Sequence, residues 1–247
     1  MPASVVFSIT RACSTEWWVR HLVPILSQRM RTVGTKEATR TAGRPWRIAH
    51  PKQRDIAKRA VDLAIAILCL TALLPLYLLI ALAVWLESRS PVIFTQERVG
   101  LRGRPFLMFK FRSMVPNAER ETGPVWAATN DARVTRVGAF LRRTHLDELP
   151  QFWNVLRGEM SVVGPRPERP VFLVKLDREI PGFSRRCAVK PGITGLAQVR
   201  NGYTHSTKGA RRKFRYDLHY ARNYCFLLDL KIMARTIAVL ANDENAR

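Results

Sequence analysis

The stretch LAIAILCLTALLPLYLLIALAVWL, residues 63–86, contains 24 consecutive residues without a charged side chain. At about 1.5 Å per residue, a straight helix of this length would span the apolar core of a bilayer. Pro75 lies at its centre, where a proline removes one backbone hydrogen bond and crowds the preceding turn. The stretch therefore predicts a membrane-associated helix that is kinked or broken at Pro75.

The charges that flank this stretch favour one of two topologies. Basic residues lie on both sides of it, namely Lys52, Arg54, Lys58 and Arg59 before it and Arg89, Arg98, Arg102 and Arg104 after it. Because Lys and Arg near a membrane segment tend to stay cytoplasmic, a spanning helix would place one of these sets on the wrong side. A helix that bends at Pro75 and returns to the same face satisfies both sets. We predict a re-entrant hairpin over residues 58–90, with a single spanning helix as the alternative.

The whole chain of 247 residues is strongly basic. Its 41 Lys and Arg against 19 Asp and Glu give a formal net charge of +22 and a pI near 11.1. Such a surface attracts polyanions, which include nucleic acid, an anionic membrane face and phosphate-bearing small molecules. Charge alone does not choose among them. A hydrophobic content of 47% is enough to fill a core and argues against global disorder.

Residues 1–57 predict a basic, poorly ordered N-terminal extension. Charges interrupt its short apolar pieces, and its second half is rich in Arg, Lys, Thr and Gly without periodicity. This pattern predicts no cleaved export signal, while an organelle-targeting peptide and a start codon assigned too far upstream are the alternatives. The cysteines lack CxxC or Cys/His ligand spacing, so they predict neither a zinc site nor a disulfide framework. They are Cys13, Cys69, Cys187 and Cys225.

Residues 91–241 predict a single cytoplasmic domain. In SPVIFTQERVGLRGRPFLMFKFRSM, residues 90–114, two β-branched and aromatic runs separated by Gly and Pro predict a short hairpin. Alternation in the second strand places two aromatic rings on one face and Lys110 and Arg112 on the other. The two cations would then be presented together, although an ordinary solvated strand face gives the same pattern.

The stretch THLDELPQFWN, residues 144–154, places two adjacent acids ahead of an apolar helix. Apolar residues recur at the i, i+3, i+4 and i+7 spacing of an amphipathic helix: Leu149, Phe152, Trp153 and Leu156. Because Pro150 is tolerated only in a first turn, the helix is predicted to begin near Asp147. The carboxylates of Asp147 and Glu148 would lie at its positive end. Asp147 as a plain helix cap is the alternative to a chemical role.

Two Gly/Pro-rich loops follow, SVVGPRPERP (161–170) and VKPGITGLAQV (189–199), and both carry cations. Rigid loops with cations suit a phosphate-bearing ligand. Residues 208–240 predict a basic helix and then an apolar one that is too short and too charged to span a membrane. Packing under the active site and lying on the membrane surface are both open for this last helix. The common nucleotide, zinc-protease and hydrolase motifs are absent.

Together, KFRSM, LDELPQFWNVLRGEMSVVGPRPE, KPGITGLAQV and DLHYARN resemble the bacterial sugar transferase family, the monotopic phosphoglycosyl transferases that act on polyprenyl phosphate. The resemblance covers residues 58–240, and its motifs occur in the family's order. GYTHS together with RYDLHY is most similar to members that serve exopolysaccharide or capsule assembly. The fold implied is mainly α with short β elements, a monotopic membrane protein with an N-terminal re-entrant helix hairpin and one cytoplasmic catalytic domain.

The resemblance implies transfer of sugar-1-phosphate from a UDP-sugar to undecaprenyl phosphate, with release of UMP and with Mg²⁺ as cofactor. The reaction would be the first membrane step of exopolysaccharide, capsule or O-antigen repeat-unit assembly, on the cytoplasmic face of the bacterial inner membrane. Asp147 matches the family's nucleophile, which would form a covalent aspartyl phosphosugar and give ping-pong kinetics. Glu148 would support Asp147, and both would bind the metal.

The resemblance also assigns residues around the donor. Lys110 and Arg112 would add positive charge near the diphosphate. Pro165, Arg166 and Pro167 match a Pro-Arg-Pro motif that resembles a uridine-diphosphate contact.

Two positions depart from the family's pattern. Leu74 stands before Pro75 where members often have serine, so the bend lacks a hydroxyl to take up a freed carbonyl. Tyr203 follows Asn-Gly where members of the protein-glycosylation type have arginine. Their phosphate-binding arginine is therefore not assigned by motif, and Arg200 and Arg222 are the candidates.

The sequence leaves an alternative function, a membrane-tethered polyanion-binding protein or a non-catalytic scaffold of polysaccharide assembly. A polyanion-binding surface would explain the net charge and leave the paired acids unexplained. Nucleic acid is not expected as a partner. The transferred sugar and the oligomeric state, a homo-oligomer included, are not fixed by any motif, and glucose or galactose is suggested only by subgroup resemblance.

Overall fold

The computed structural model of the chain describes residues 52–120, 123, 131–201 and 207–241, so most of the predicted extension, residues 1–51, lies outside the described residues. Helices dominate the described part, and the strands are short. In chain order the elements are α1 (Lys52–Ala72), α2 (Leu74–Ser88), β1 (Ile93–Val99), β2 (Pro105–Phe111), α3 (Arg136–Arg143), α4 (Gln151–Arg157), β3 (Ser161–Val163), α5 (Pro170–Glu179), β4 (Gly192–Thr194), α6 (Leu196–Asn201), α7 (Thr207–Asn223) and α8 (Phe226–Ala241). The mainly helical fold with short β elements is confirmed.

The uncharged stretch folds as two helices, α1 and α2, whose axes are bent by 62° at the break between them. Pro75 falls in the first turn of α2, where its missing N–H removes no intrahelical hydrogen bond. Among the described residues no single helix is long and apolar enough to cross a membrane, while this bent pair reaches that length and composition together. A re-entrant hairpin and a broken span share this geometry, so the hairpin stays a prediction.

Each of the two helices packs on the rest of the domain. Arg59 of α1 donates hydrogen bonds of 2.6 and 2.9 Å to the carbonyl oxygens of Val155 and Leu156, at the negatively polarised end of α4. Ile80 and Val84 of α2 are buried in a cluster with Phe111 and Leu141. Many other apolar side chains of the two helices are exposed: Ile67, Leu68, Leu74, Leu78, Leu79, Leu82, Trp85 and Leu86. An exposed apolar patch of this extent marks a membrane or protein contact surface.

The predicted hairpin is present as β1 and β2, an antiparallel pair in which Ile93 lies opposite Phe111 and Val99 lies opposite Pro105. Strands β3 and β4 form a separate parallel pair. The core lies between β2, α4, β3 and the two C-terminal helices, and its buried members include Phe106, Met108, Val155, Met160, Val163, Tyr220 and Ile232. Lys110 lies on the same face of β2 as Phe106 and Met108, so the aliphatic part of its side chain starts at the edge of this core.

The helix predicted to begin near Asp147 begins later, and that prediction is wrong. Residues Leu146–Glu148 form a 3-10 turn, Pro150 is the N-cap, and α4 starts at Gln151. The predicted apolar face is also wrong in part, because Trp153 is 52% exposed whereas Asn154 is fully buried. Asn154 accepts from the N–H of Phe109 at 3.0 Å and donates to the carbonyl of Leu107 at 2.7 Å. This face of α4 is thus bound to the β2 backbone by the side-chain amide of Asn154. Hydrophobic periodicity counts only apolar residues, so it does not predict this contact.

The last helix, α8, packs on the domain through one face and leaves an apolar face uncovered. Asp229 and Ile232 are buried, and Asp229 accepts a 2.6 Å hydrogen bond from Lys58 of α1. The uncovered side chains recur at helical spacing: Phe226, Leu227, Leu230, Ile237 and Leu240. Exposed Lys231 and Arg235 lie along one edge of this apolar face. Packing on the domain, one of the two arrangements left open by the sequence, therefore accounts for only one side of the helix.

Strand β3 runs into a close approach of two backbones. The Gly164 N–H donates to Thr194 at 2.8 Å, and a Cβ at position 164 would lie 2.4 Å from the carbonyl oxygen of Lys190. Gly164→Ala is expected to lower Tm by roughly 5 °C or more, because backbone must move to admit the methyl group. Thermal unfolding of the purified protein measures this. Gly103→Ala is the control: Gly103 has φ +77° with no atom near its Cβ position, so only backbone strain is added and a smaller loss is expected. Equal melting of the wild type and the Gly164 variant would contradict the packing described.

Candidate functional site

The two adjacent acids lie in the turn between α3 and α4, residues 144–150, which is called the reactive turn below. Its first residues have an unusual backbone conformation. Helix α3 ends at Arg143, and His145 then adopts φ +57°, in the left-handed region. A residue other than glycine in this region costs roughly 1 kcal/mol or more, and such strain concentrates at functional sites. On the far side, the Tyr77 hydroxyl of α2 donates to the carbonyl of Leu149 at 2.7 Å. The turn is therefore tied directly to the second half of the uncharged stretch.

Asp147 and Glu148 are buried in this turn, with exposed fractions of 5% and 7%. Two cations from other elements neutralise them. Lys110 Nζ lies 3.2 Å from Asp147 Oδ2 and 2.8 Å from Glu148 Oε1. Arg166, in the loop after β3, binds Glu148 through both guanidinium nitrogens, with Nη1 2.9 Å from Oε2 and Nη2 in contact with Oε1. This fork-to-fork geometry is the strongest form of a charge-assisted hydrogen bond.

The surroundings of Glu148 fix its charge. Burial acts to raise the pKa of its carboxyl, but the charges of Arg166 and Lys110 and their hydrogen bonds outweigh burial and hold this pKa well below its usual range. Glu148 is therefore an anion across the neutral range. Because its folded-state pKa is depressed, its contribution to stability is present above the unfolded-state pKa and is lost as pH falls through the lower folded value.

A third cation near the pair, Arg142, was missed by the sequence analysis. Its Nε donates to Ser113 Oγ at 2.8 Å, which fixes the guanidinium at the end of α3. Burial lowers the pKa of Arg142, and the charge of Asp147 acts in the opposite direction, so the two groups lie within electrostatic reach. Ser113 belongs to the KFRSM motif, which was interpreted only through its cations. The serine was the signal that could have pointed to Arg142.

Several of the candidate cations lie elsewhere. Arg112 follows the last residue of β2, and its N–H donates to the carbonyl of Val92 at 2.8 Å, which continues the β1–β2 register. Its Nε donates to the carbonyl of Pro91 at 2.6 Å, whereas Lys110 binds the two acids, so the joint presentation of Lys110 and Arg112 stays a prediction. Arg169 is held by Glu119 through two hydrogen bonds of 2.7 and 2.9 Å. Pro165 and Pro167 flank Arg166 as the motif implies, whereas Arg200 and Arg222 are exposed on α6 and α7.

The carboxylate oxygens of Asp147 and Glu148 are possible ligands for a metal ion. Within the described ranges, no group of three or more His, Cys, Asp and Glu side chains could hold a metal ion. Mg²⁺, however, commonly takes one or two protein carboxylates and completes its shell with phosphate oxygens and water. Both oxygens of Glu148 already accept from cations, while the one Lys110 bond to Asp147 is long at 3.2 Å. The pair thus fits an Mg²⁺ shared with substrate phosphates, with Asp147 the more available ligand.

A cavity of about 190 Å³ lies between α1, β3 and α8, away from this turn. It is smaller than the usual 300–1,000 Å³ of ligand pockets. Its acids are occupied by structural bonds, because Asp62 accepts from Ser161 and from the Val162 N–H and Asp229 accepts from Lys58. The cavity therefore offers no carboxylate for chemistry, and the turn is the candidate site.

Comparison with known families identifies the chain. The family model described as "Bacterial sugar transferase" matches residues 53–243. The chain belongs to the bacterial sugar transferase family. The resemblance seen in the sequence motifs is thereby confirmed, and the match includes α1 through α8 and both partners in every contact around Asp147 and Glu148.

Curated relatives of this bacterial sugar transferase carry specific names. A "UDP-N-acetylgalactosamine-undecaprenyl-phosphate N-acetylgalactosaminephosphotransferase" of Aeromonas hydrophila is 44% identical over 77% of this chain and 45% of its own length. A "UDP-glucose:undecaprenyl-phosphate glucose-1-phosphate transferase" of Caulobacter vibrioides is 43% identical over 78% of this chain and 72% of its own length. An "Exopolysaccharide production protein PSS" of Rhizobium leguminosarum bv. phaseoli is 39% identical over 74% of this chain and 94% of its own length. The chain spans less than half the length of several of its relatives.

Proposed function

We propose that this chain is an undecaprenyl-phosphate sugar phosphotransferase, which moves sugar-1-phosphate from a UDP-sugar to undecaprenyl phosphate and releases UMP. The observation that carries the proposal is a buried carboxylate pair, Asp147 and Glu148, held against Lys110 and Arg166. Such a site offers a nucleophile and the positive charge that an anionic donor requires. Family membership and the names of the relatives support the same reaction class.

In the proposed first step an oxygen of Asp147 attacks the phosphorus that carries the sugar. The bond from that phosphorus to the bridging oxygen breaks, and UMP leaves with the electron pair. An oxygen of undecaprenyl phosphate then attacks the same phosphorus, and the Asp147 carboxylate leaves. Each step forms one P–O bond and breaks one, so no proton transfer is needed. The scheme is double displacement with a covalent aspartyl phosphosugar.

The cations have separate tasks in this scheme. Lys110 touches both carboxylates, so it offsets their mutual repulsion and the approach of an anionic donor. Arg166 keeps Glu148 ionised and orients it beside the nucleophile. Arg142, held by Ser113 within electrostatic reach of Asp147, is proposed to bind a donor phosphate oxygen. It would then take the task of the phosphate-binding arginine that the motif after AQV leaves unassigned.

Mg²⁺ held by Asp147 and Glu148 would supply charge neutralisation at the phosphates when bound. The test of the proposed function is UMP release by detergent-solubilised protein given undecaprenyl phosphate, Mg²⁺ and single UDP-sugars, among them UDP-glucose, UDP-galactose and UDP-N-acetylgalactosamine. Release with one donor, abolished by excess EDTA and restored by Mg²⁺, is the expected result. No UMP with any donor would overturn the proposal, and the active donor identifies the sugar.

The proposed location is the cytoplasmic face of the bacterial inner membrane, with α1 and α2 as a re-entrant hairpin. The exposed apolar side chains of both helices support membrane contact, and the Tyr77 bond to Leu149 keeps the reactive turn beside that contact. Both flanks of the hairpin carry the cations that favour the cytoplasmic side. Single cysteines placed at 57 and at 90 on a cysteine-free background should be labelled from the same side of the membrane. Labelling from opposite sides would refute the hairpin.

Helix α8 is proposed to lie on the same membrane surface, because its uncovered apolar face is edged by Lys231 and Arg235 and its packed face is tied to α1 by the Lys58–Asp229 bond. Replacing Leu227 and Ile237 by Asp should weaken binding to vesicles with 30% anionic lipid by roughly 10-fold or more, since two apolar contacts become two charges. Vesicle co-sedimentation of the detergent-free protein measures this. Arg211→Gln and Arg222→Gln together, at exposed positions of α7, lower the net charge by the same two units without touching the apolar face and serve as the control. Unchanged binding of the α8 variant would place that face outside the membrane contact.

A further inference from the structure

The loop that carries Arg166 is held through four consecutive carbonyl groups. The carbonyl oxygens of Pro165, Arg166, Pro167 and Glu168 each accept a hydrogen bond, from Gly192 N at 3.0 Å, Arg186 Nη2 at 2.7 Å, Arg98 Nη1 at 3.0 Å and Val99 N at 2.9 Å respectively. Two of these donors are backbone groups at strand ends, and two are arginine side chains. The loop has no helix or strand of its own, so these four donors fix its path.

Arg186 is the donor that meets the carbonyl of Arg166 itself. It is 2% exposed in the 3-10 helix Phe183–Ala188, and its Nε lies 2.8 Å from Asp217 Oδ2 of α7. Both side chains of this ion pair are 2% exposed. A buried ion pair is a poor source of stability, because apolar residues of similar volume are often as stable or more so. What the pair does supply is direction: Asp217 Oδ2 holds one side of the guanidinium, Glu168 Oε1 lies 3.3 Å from Nη1, and Nη2 donates to the carbonyl of Arg166.

We propose that Arg186 and Asp217 are positioning residues for the transfer reaction: they fix the loop backbone so that the Arg166 guanidinium meets both oxygens of Glu148. The inference rests on the proposed function only in giving Glu148 a part in catalysis. Neither residue touches the carboxylate pair, so both act through Arg166. A displacement of about 1 Å in such a contact can cost 10²-fold in rate.

The assignment also explains the RYDLHY motif, which the proposed chemistry does not use. Asp217 is its aspartate, and the hydroxyl of its second tyrosine, Tyr220, lies 2.9 Å from the carbonyl oxygen of Val163. Val163 ends β3, immediately before the loop begins at Gly164. One face of α7 therefore fixes the chain both as it enters the loop and at Arg166.

The test replaces the ion pair by an apolar pair, Arg186→Met with Asp217→Leu. Glu168, whose Oε1 lies 3.3 Å from Arg186 Nη1, keeps its bond from Lys213, so no buried charge loses its last partner. The matched control is Arg133→Met with Asp131→Leu, a partly buried ion pair at 2.6 Å that contacts neither the loop nor α7. The Arg186/Asp217 variant is expected to lose about 30- to 100-fold in kcat/KM for the UDP-sugar, with Tm within a few degrees of the control variant. The control is expected to keep kcat/KM within about three-fold, the usual scale of remote changes.

A double-mutant cycle separates positioning from a purely structural role. Because Arg186 and Asp217 act through Arg166 in this proposal, their substitution should cost less than about three-fold in kcat/KM in an Arg166→Gln background. A loss that adds in full to that of Arg166→Gln would instead indicate a structural role.

Amide hydrogen exchange gives a readout that does not need activity. The Val99 and Gly192 N–H groups donate into the loop, so their exchange should become at least about 10-fold faster in the Arg186/Asp217 variant and unchanged in the control. If the wild type releases no UMP, the proposed function fails, and these two amides still decide the positioning claim. An active wild type with a variant of equal kcat/KM and unchanged exchange would overturn the claim.

Discussion

Asp147→Asn is expected to lower the rate of UMP release roughly 10⁴-fold or more while leaving the fold intact. The amide is isosteric with the carboxylate, but it has no anionic oxygen to attack phosphorus, and no covalent intermediate can form. The side chain is 5% exposed and accepts one bond, from Lys110, so the substitution removes charge without creating a cavity. Initial rates with the active UDP-sugar measure the effect, and thermal unfolding checks the fold.

Asp131→Asn serves as the matched control for that experiment. Asp131 is a carboxylate of the same domain whose charge is held by Arg133 at 2.6 Å, outside the reactive turn. Its substitution is expected to leave UMP release within about three-fold of wild type, as for other changes remote from a site. The polyanion-binding alternative makes the opposite forecast for Asp147→Asn, because removing an acid from a basic surface preserves or strengthens anion binding. Retained transfer by the Asp147 variant would contradict its role as nucleophile.

The second large effect is expected for Arg166→Gln. The guanidinium binds both oxygens of Glu148, so glutamine removes a full positive charge from the centre of the site. Loss of one such group typically costs 10²- to 10³-fold in kcat, and we expect a loss of about this size. Because Arg166 helps to hold the pKa of Glu148 below its usual range, the acid limb of the kcat/KM profile should also move to higher pH.

Arg169→Gln is the control for Arg166, since it makes the same change three residues later in the same loop. Its guanidinium is held by Glu119, which is more than one-third exposed, so the pair is worth little. We expect an unchanged pH profile and a rate within about three-fold of wild type. Rate–pH profiles of both variants with the same donor decide the point. If Arg169→Gln matched Arg166→Gln, the effect would stem from loop charge in general and not from the contact with Glu148.

Much of this architecture could be predicted from the sequence, because the signals involved are local. The uncharged stretch and Pro75 gave a broken helix at the right place, since a proline inside an apolar segment acts on its own turn. The β-branched runs around Gly100 and Gly103 gave the β1–β2 hairpin for the same reason. The LDELPQ motif identified the turn that lies between α3 and α4.

The errors arose where a distant contact overrides a local preference. Amphipathic spacing placed Trp153 inside because it counts only apolar residues, whereas Asn154 is buried by its bonds to β2. The early helix start came from placing Pro150 inside the first turn, whereas it is the N-cap of α4. Strand alternation grouped Arg112 with Lys110, but it does not register that the Nε of Arg112 donates to the carbonyl of Pro91. Arg142 and Arg186 were not found, because their roles depend on Ser113 and Asp217, which lie 29 and 31 residues away along the chain. Spacing within a motif carries no information about such partners.

The most direct test of the central claim is a single-turnover experiment without undecaprenyl phosphate. Detergent-solubilised protein is mixed with Mg²⁺ and the active UDP-sugar, UMP is counted, and the protein is then analysed by intact mass and peptide mass spectrometry. The expected result is a burst of up to one UMP per chain, a mass increase of one sugar phosphate on the peptide that contains Asp147, and its discharge when undecaprenyl phosphate is added. UMP that appears only when undecaprenyl phosphate is present, with no adduct on that peptide, would contradict the covalent mechanism.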